Sequence, residues 1–298
     1  MKIPITLLGT GQAIPTKKRN HTAILLTYKS ENILVDCGEG TQRQFRKAGI
    51  NPCKLTRILI THWHGDHILG LPGLLQTLAL NNYNRKLEIY MPKNTRHFMD
   101  LIFRLFVFQG KIKYEIHECE TGKIFENNDF LIEAASMNHG APCLAFSFLE
   151  KEKIRIDKKK LAKLKIKGKL IGELAKGKDI EFNGKKIKAS SLTYKQDSKK
   201  ISFILDTAIN ENCVKLAENS DLLICESTYT EKEADKAREY KHLTAKQAAE
   251  IAKKSKSKKL ILTHLSQRYE NKEKLILQEA KKVFKNTEIA EDLQKVEI

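Results

Sequence analysis

Four of the six residues in His62-Trp63-His64-Gly65-Asp66-His67 are metal-ligand types. They are packed too tightly to share one helical face, on which neighbours sit three or four positions apart. Imidazole nitrogens beside a carboxylate suit zinc or one of its borderline neighbours. The alternative, surface histidines on a polar turn, rarely gives so dense a cluster. The preceding run, 56–61, reads as a short buried strand, and the apolar stretch 68–78 turns helical past Pro72. The cluster therefore lies on the loop leaving a strand, where several side chains can converge on one point.

Other potential donors occupy similar places. The apolar runs at 32–36, 130–137, 201–205 and 260–263 read as strands. At or just past their ends stand Asp36, His139, Asp206 and His264. Taken singly, Asp36 could cap the start of a helix and His139 could be structural. Taken together with His62, they line the carboxyl edge of a sheet, where function gathers in α/β proteins. Further strands are predicted at 3–8, placed at an edge because Pro4 cannot donate to a ladder, and at 22–28, 87–91, 113–117, 145–149 and 222–225. Helices are predicted after Asp36, from about Asn94, after His242-Leu243 and over about 272–285. The third has a capping box in Thr244 and Gln247. Strands and helices from both halves then build an α/β core of two sheets with outer helices and one ligand-bearing rim.

The 298 residues carry a formal charge of +18. Residues 151–188 hold fifteen Lys and Arg against five Asp and Glu, a net of +10 in thirty-eight positions. That concentration suggests a footprint for a polyanion, against the alternative of a solvated insertion that binds nothing. Glycines at 168, 172, 177 and 184 suit an extended arm better than a compact subdomain. Six cysteines without close pairing read as small buried hydrophobes in a reducing compartment. With no apolar run of membrane-spanning length and no signal-peptide pattern, a cytoplasmic protein is expected.

Together these residues resemble the metallo-β-lactamase superfamily, whose signature is His-x-His-x-Asp-His, and within it the ribonuclease Z family of tRNA 3′-processing endonucleases. The resemblance covers essentially the whole chain. It is carried also by Gly9-Thr10-Gly11, Lys18-Arg19-Asn20, the stretch from Asp36 to Gln44, and Asn138-His139-Gly140. Asp206-Thr207, Glu226-Ser227-Thr228-Tyr229, His242-Leu243-Thr244-Ala245 and Thr263-His264-Leu265-Ser266 continue it in order. The resemblance implies a single domain over residues 1–298, an αββα sandwich of two mixed β-sheets flanked by helices. The basic insertion, 151–188, would be its flexible tRNA-binding arm, with Lys158, Lys159, Lys160, Lys163, Lys165, Lys167 and Lys169 on the RNA. His62, His64 and His139 would bind one zinc, Asp66, His67 and His264 a second, and Asp206 would bridge them; manganese is the alternative metal. Asp36 would orient a ligand histidine. Asp66 would also accept the attacking water's proton, and His242 would lie near the scissile phosphate. A homodimer acting on precursor tRNA is implied as well. The chain departs from the family in having Gly168-Lys169 where the arm usually carries Gly-Pro, and Leu243 where Ser commonly follows the histidine.

Two rival functions are weighed by the same features. A small-molecule phosphodiesterase or thioester hydrolase of the superfamily has no use for a +10 insertion. A non-catalytic RNA-binding protein has no use for a full set of ligands.

Overall fold

The computed structural model describes residues 2–105, 112–164 and 166–298. They divide into a large unit, Met1–Glu126, Ile132–Phe148 and Lys200–Ile298, and a small one, Asn127–Leu131 and Leu149–Lys199.

The large unit begins with β1 (Pro4–Gly9), β2 (Ala23–Tyr28) and β3 (Glu31–Val35), an antiparallel meander. Parallel strands β4 (Arg57–Leu59), β5 (Lys86–Pro92) and β6 (Lys113–Cys119) extend it. The strand side chains alternate between faces. Leu25, Leu34, Ile58 and Ile89 line up across four strands on one face and pack with Phe45, Leu74 and Met99 from helices Thr41–Lys47, Leu71–Leu80 and Arg96–Leu105. Leu26, Ile33 and Leu59 point the other way.

The second sheet contains β7 (Gly122–Glu126), β8 (Phe130–Ser136) and β9 (Leu144–Glu150). Its remaining strands follow the insertion. The insertion itself holds β10 (Lys153–Ile156), β11 (Ile180–Phe182), β12 (Lys185–Ile187) and β13 (Thr193–Gln196). Parallel strands β14 (Lys199–Ile204), β15 (Leu222–Glu226), β16 (Leu260–Thr263) and β17 (Thr287–Ile289) complete the second sheet, in the order β17-β16-β15-β14-β9-β8-β7. Its outer face is covered by helices Glu211–Ala217, Ala245–Lys254 and Glu273–Val283. Between the sheets, Leu26, Ile33 and Leu59 meet Ile132, Phe146 and Phe203 around a void of only about 10 Å³, so the interior is filled. The expected four layers are present.

Three details differ from expectation. β18 (Lys295–Glu297) pairs with β1, so β1 is not an edge strand. Pro4 is tolerated because it is the strand's first residue, where a missing donor breaks little of the ladder. β7 and β17 are too short to show alternation in the sequence. The insertion is not an extended arm: it is a folded unit whose bounds run wider than 151–188. Its helices Lys158–Leu164 and Lys169–Ala175, the β11–β12 hairpin and the antiparallel pair β10–β13 enclose Ile166, Leu174, Ile180, Ala189 and Leu192. The apolar residues between the lysines supply that small core. Lys158, Lys159, Lys160, Lys163, Lys167 and Lys169 all face solvent, and Lys165 lies outside the described residues.

All six cysteines are free. Among the described residues, no helix is long and apolar enough to cross a membrane.

Candidate metal centre

In both sheets the parallel strands end on the rim that carries the polar residues. Asp36 follows β3, the histidine cluster follows β4, Asp206 follows β14, Glu226 ends β15 and His264 follows β16. Asp36 (φ 55°) and His264 (φ 58°) adopt left-handed backbone, unfavourable by roughly 1–2 kcal/mol for a residue with a Cβ. Such strain persists only where the surroundings over-determine it, and it gathers at functional sites. Here the Asp36 turn is pressed against the cluster. Cys37 N–H donates to His67 O (2.7 Å) and Gly70 N–H to Cys37 O (2.9 Å). A Cβ on Gly38 would come within 2.3 Å of Asp66 O, and one on Gly70 within 2.0 Å of Gly38 O. Only glycine permits these segments to approach so closely.

After β4 the chain stays extended through His64, then makes a single helical turn, Gly65–Ile68, that carries Asp66 and His67. His62 and His64 are thus on the loop, as expected, and Asp66 and His67 on the turn. The outer nitrogen of each deeply placed histidine is held. Thr61 donates its N–H (2.8 Å) and hydroxyl (2.7 Å) to Asp36, so its oxygen is left to accept from His62 Nδ1 (3.0 Å). Thr228 repeats the arrangement: its hydroxyl donates to Glu226 (2.6 Å), and its oxygen faces His264 Nδ1 (3.0 Å). His67 Nδ1 donates to Asp36 Oδ2 (2.6 Å) and His139 Nδ1 to Lys241 O (2.9 Å). These contacts favour the tautomer with the proton on Nδ1 in each of the four rings, which would leave the Nε2 lone pair free to face a cation.

Those lone pairs converge on two points. His62, His64, His139 and Asp206 form one set of possible ligands, and Asp66, His67, Asp206 and His264 another; within each set the ligand atoms lie within 4.8 Å of one another. Asp206 belongs to both. Its Oδ2 is 3.7 Å from His62 Nε2 and 3.5 Å from His139 Nε2, while its Oδ1 is 3.3 Å from His67 Nε2 and 3.1 Å from His264 Nε2. The test of fit is what the atoms have without an ion. His67 Nε2 and His264 Nε2 face each other at 3.2 Å, and His62 Nε2 and Asp206 Oδ1 are buried without a hydrogen bond. Orphaned lone pairs of this kind are costly unless a cation is shared among them. The residues present fit two divalent cations, with N and O donors suited to zinc or manganese. Burial works against the charge of Asp206, yet the imidazoles of His264, His67 and His242 hold its pKa well below the usual carboxylate range.

His242 sits at the margin of this set. Its Nδ1 lies 3.1 and 3.2 Å from the two oxygens of Glu226 and 3.9 Å from Asp206 Oδ2. Burial pushes the imidazole toward neutrality, but the Glu226 carboxylate, aided by Asp206, carries its pKa up to about 9. Glu226 is fully buried and also accepts from Thr207 N–H (2.8 Å). Sequence reasoning assigned Glu226 no role, although its place at the end of an apolar strand matches that of Asp36 and Asp206. Thr61, Thr228 and the Lys241 carbonyl were likewise missed, since hydroxyl and backbone acceptors leave no trace in residue type.

A further ligand-type cluster, Glu88, Glu115 and His117, lies on β5 and β6. Lys86 forms ion pairs with both of its carboxylates, which gives them a partner without a metal.

A family model described as the anti-Pycsar protein Apyc1 matches residues 3–104, about a third of the chain. Across nearly its full length the chain is 40% identical to ribonuclease Z of Methanothermobacter thermautotrophicus, over 296 residues covering 99% of this chain and 96% of that protein. It is 39% identical to ribonuclease Z of Enterococcus faecalis, with 99% and 97% covered. Among solved structures, human tRNase Z, short form, superposes with a TM-score of 0.72 at 29% identity and 98% coverage of both chains. The metallo-β-lactamase fold protein YhfI from Bacillus subtilis gives 0.71 at 19% identity, a likeness of fold.

Proposed function

The chain belongs to the ribonuclease Z family, and from that premise we propose that it is a metal-dependent endoribonuclease that removes the 3′ trailer from precursor tRNA. The observation that carries this reading is the pair of ligand sets joined by Asp206, beside a Glu226–His242 pair that belongs to neither set as a required ligand. The sets would hold two zinc ions per subunit, or manganese. Bound there, two divalent cations supply Lewis acidity toward the phosphoryl oxygens and lower the pKa of water from about 16 to about 7.

The chain's own residues do the rest. Asp66, 9% exposed, takes the proton released as water attacks phosphorus. His242, held as imidazolium by Glu226, donates a proton to the departing 3′ oxygen as the P–O3′ bond breaks. The products are a tRNA with a 3′-hydroxyl and a trailer with a 5′-phosphate. Asp36, Thr61, Thr228 and Lys241 touch no substrate; they fix the imidazoles in the tautomer that faces the cations.

The basic unit is the proposed tRNA-binding arm. Its exposed lysines at 158–160, 163, 167 and 169 suit phosphate oxygens, which position an RNA whatever its sequence. A homodimer in the cytoplasm completes the reading. The direct test is to incubate the metal-loaded protein with a precursor tRNA and map the ends. Cleavage at the base of the trailer that leaves a 3′-hydroxyl supports the proposal, and no cleavage of any precursor rejects it.

The arm gives a separate prediction. Because β10 and β13 pair from Lys153↔Gln196 to Ile156↔Thr193, a clean deletion removes both strands together, not 151–188 alone. With so many phosphates no longer neutralised, precursor cleavage should slow by about 10²-fold or more at physiological salt, and the salt slope of binding should flatten. Hydrolysis of bis-p-nitrophenyl phosphate should be retained. Equal loss on both substrates would make the unit structural. Mixing arm-deleted chains with Asp66→Ala chains should restore part of the activity if two subunits share the work.

A further inference from the structure

A groove of about 450 Å³ lies beside the metal centre, between helix Thr41–Lys47 and the turn that begins at Leu69. Both of its walls are continuous with that centre: Leu69 follows the ligand His67 by two residues, and Glu39 follows Asp36 by three. Arg43 and Arg46, one helical turn apart and both exposed, line one side. Neither guanidinium has an ion-pair partner among the described residues; Glu39 is the single carboxylate among the lining residues. Leu69 is 56% exposed and gives the groove an apolar patch. Gln42 adds a side-chain amide on the same helix.

We propose that this groove binds the unpaired nucleotides of the trailer, 3′ of the cut, with Arg43 and Arg46 on their phosphates and a base against Leu69. The inference rests on the reading of the chain as a tRNA 3′ endonuclease. Charge selects a polyanion, and size selects its form: the groove has room for one or two nucleotides and none for a duplex. Single strands are bound by positive grooves that also offer a flat or apolar surface to splayed bases, and arginine does both tasks. Upstream of the cut the RNA enters the acceptor duplex almost at once, so the unpaired stretch that fits lies downstream. Such a binding mode would make affinity depend on trailer length.

The experiment compares wild type with Arg43→Glu/Arg46→Glu, and with the milder Arg43→Gln/Arg46→Gln in case reversal disturbs folding. Substrates are one precursor with a trailer of one nucleotide and the same precursor with a trailer of about a dozen, the scale of single-strand binding sites. The reversal should raise KM about tenfold for the long trailer and little for the short one, with melting temperature, metal content and bis-p-nitrophenyl phosphate hydrolysis unchanged. The salt slope of single-stranded oligoribonucleotide binding should fall by about 0.7 for each phosphate that the arginines no longer neutralise. An unchanged KM for the long trailer overturns the proposal. So does equal loss on the short trailer and on mature tRNA, which would assign the arginines to the acceptor stem. A change in sedimentation with no change in oligonucleotide binding overturns it too, by making this face an interface between copies. If wild type cleaves no precursor, the functional reading falls by itself, and oligonucleotide binding still decides whether the groove holds RNA.

Discussion

Asp206→Asn should lose both cations and slow precursor cleavage by about 10⁴-fold or more, because several kcal/mol of charge stabilisation depend on the ions and each 1.36 kcal/mol is a factor of ten. Asp206 alone reaches both ligand sets, with one oxygen toward each. An amide of the same shape keeps one oxygen and turns an NH₂ toward the other set. It also removes the negative charge that balances two cations in a buried site. Asp66→Ala serves as the comparison, since Asp66 contacts only His67 and His264 of its own set. It should lose one ion and keep the other. Elemental analysis after exhaustive dialysis gives both stoichiometries, and single-turnover rates give the chemistry. An Asp206→Asn protein that keeps two ions and near-normal turnover would refute the bridged site.

The second large effect concerns leaving-group protonation. His242→Ala should keep both cations and RNA affinity while its single-turnover rate on precursor tRNA falls about 10²–10⁴-fold. On bis-p-nitrophenyl phosphate the loss should be small, since p-nitrophenolate departs without a proton. That contrast separates an acid from a residue that merely packs the helix beginning at Ala245, whose loss would lower melting temperature and touch both substrates alike. Glu226→Gln tests the same assignment through pH. The carboxylate raises the His242 pKa, so wild type keeps the imidazolium toward pH 9, and bound cations oppose this. Without the carboxylate the proton leaves at lower pH, so the alkaline limb of the rate profile should move down. A limb that stays in place in Glu226→Gln would exclude His242 as the titrating acid.

Part of this centre was legible in residue pattern. Asp36, His62, His139, Asp206 and His264 each stand at or just past the end of an apolar run, whereas the division into two ligand sets came from the family resemblance. The layers followed from the same runs. What stayed hidden depended on atoms that residue type does not reveal. The role of Glu226 requires knowing that β15 lies beside β14 and β16, which brings Glu226 within reach of His242 and Thr228. The lysine-rich insertion gave the opposite error. Its charge drew attention away from Ile166, Leu174, Ile180 and Leu192, which are spaced too irregularly to show periodicity and still suffice for a small core. β18 was overlooked for want of length, and with it the pairing that takes β1 off the edge.

The ligand pair His67 and His264 stands 197 positions apart in the chain. This distance has a consequence for synthesis. A ribosome releases the first five donors, through His139, long before Asp206 and His264 exist outside it. A chain of that length can gather most of one ligand set, yet it lacks the bridging carboxylate, and only β7 and β8 of the second sheet have been made. Pairings so remote in sequence form late, after the entropy of closing a long loop has been overcome. The proposed donor set is therefore incomplete until β14, β15 and β16 have been made, so a nascent chain without them is expected to cleave no RNA.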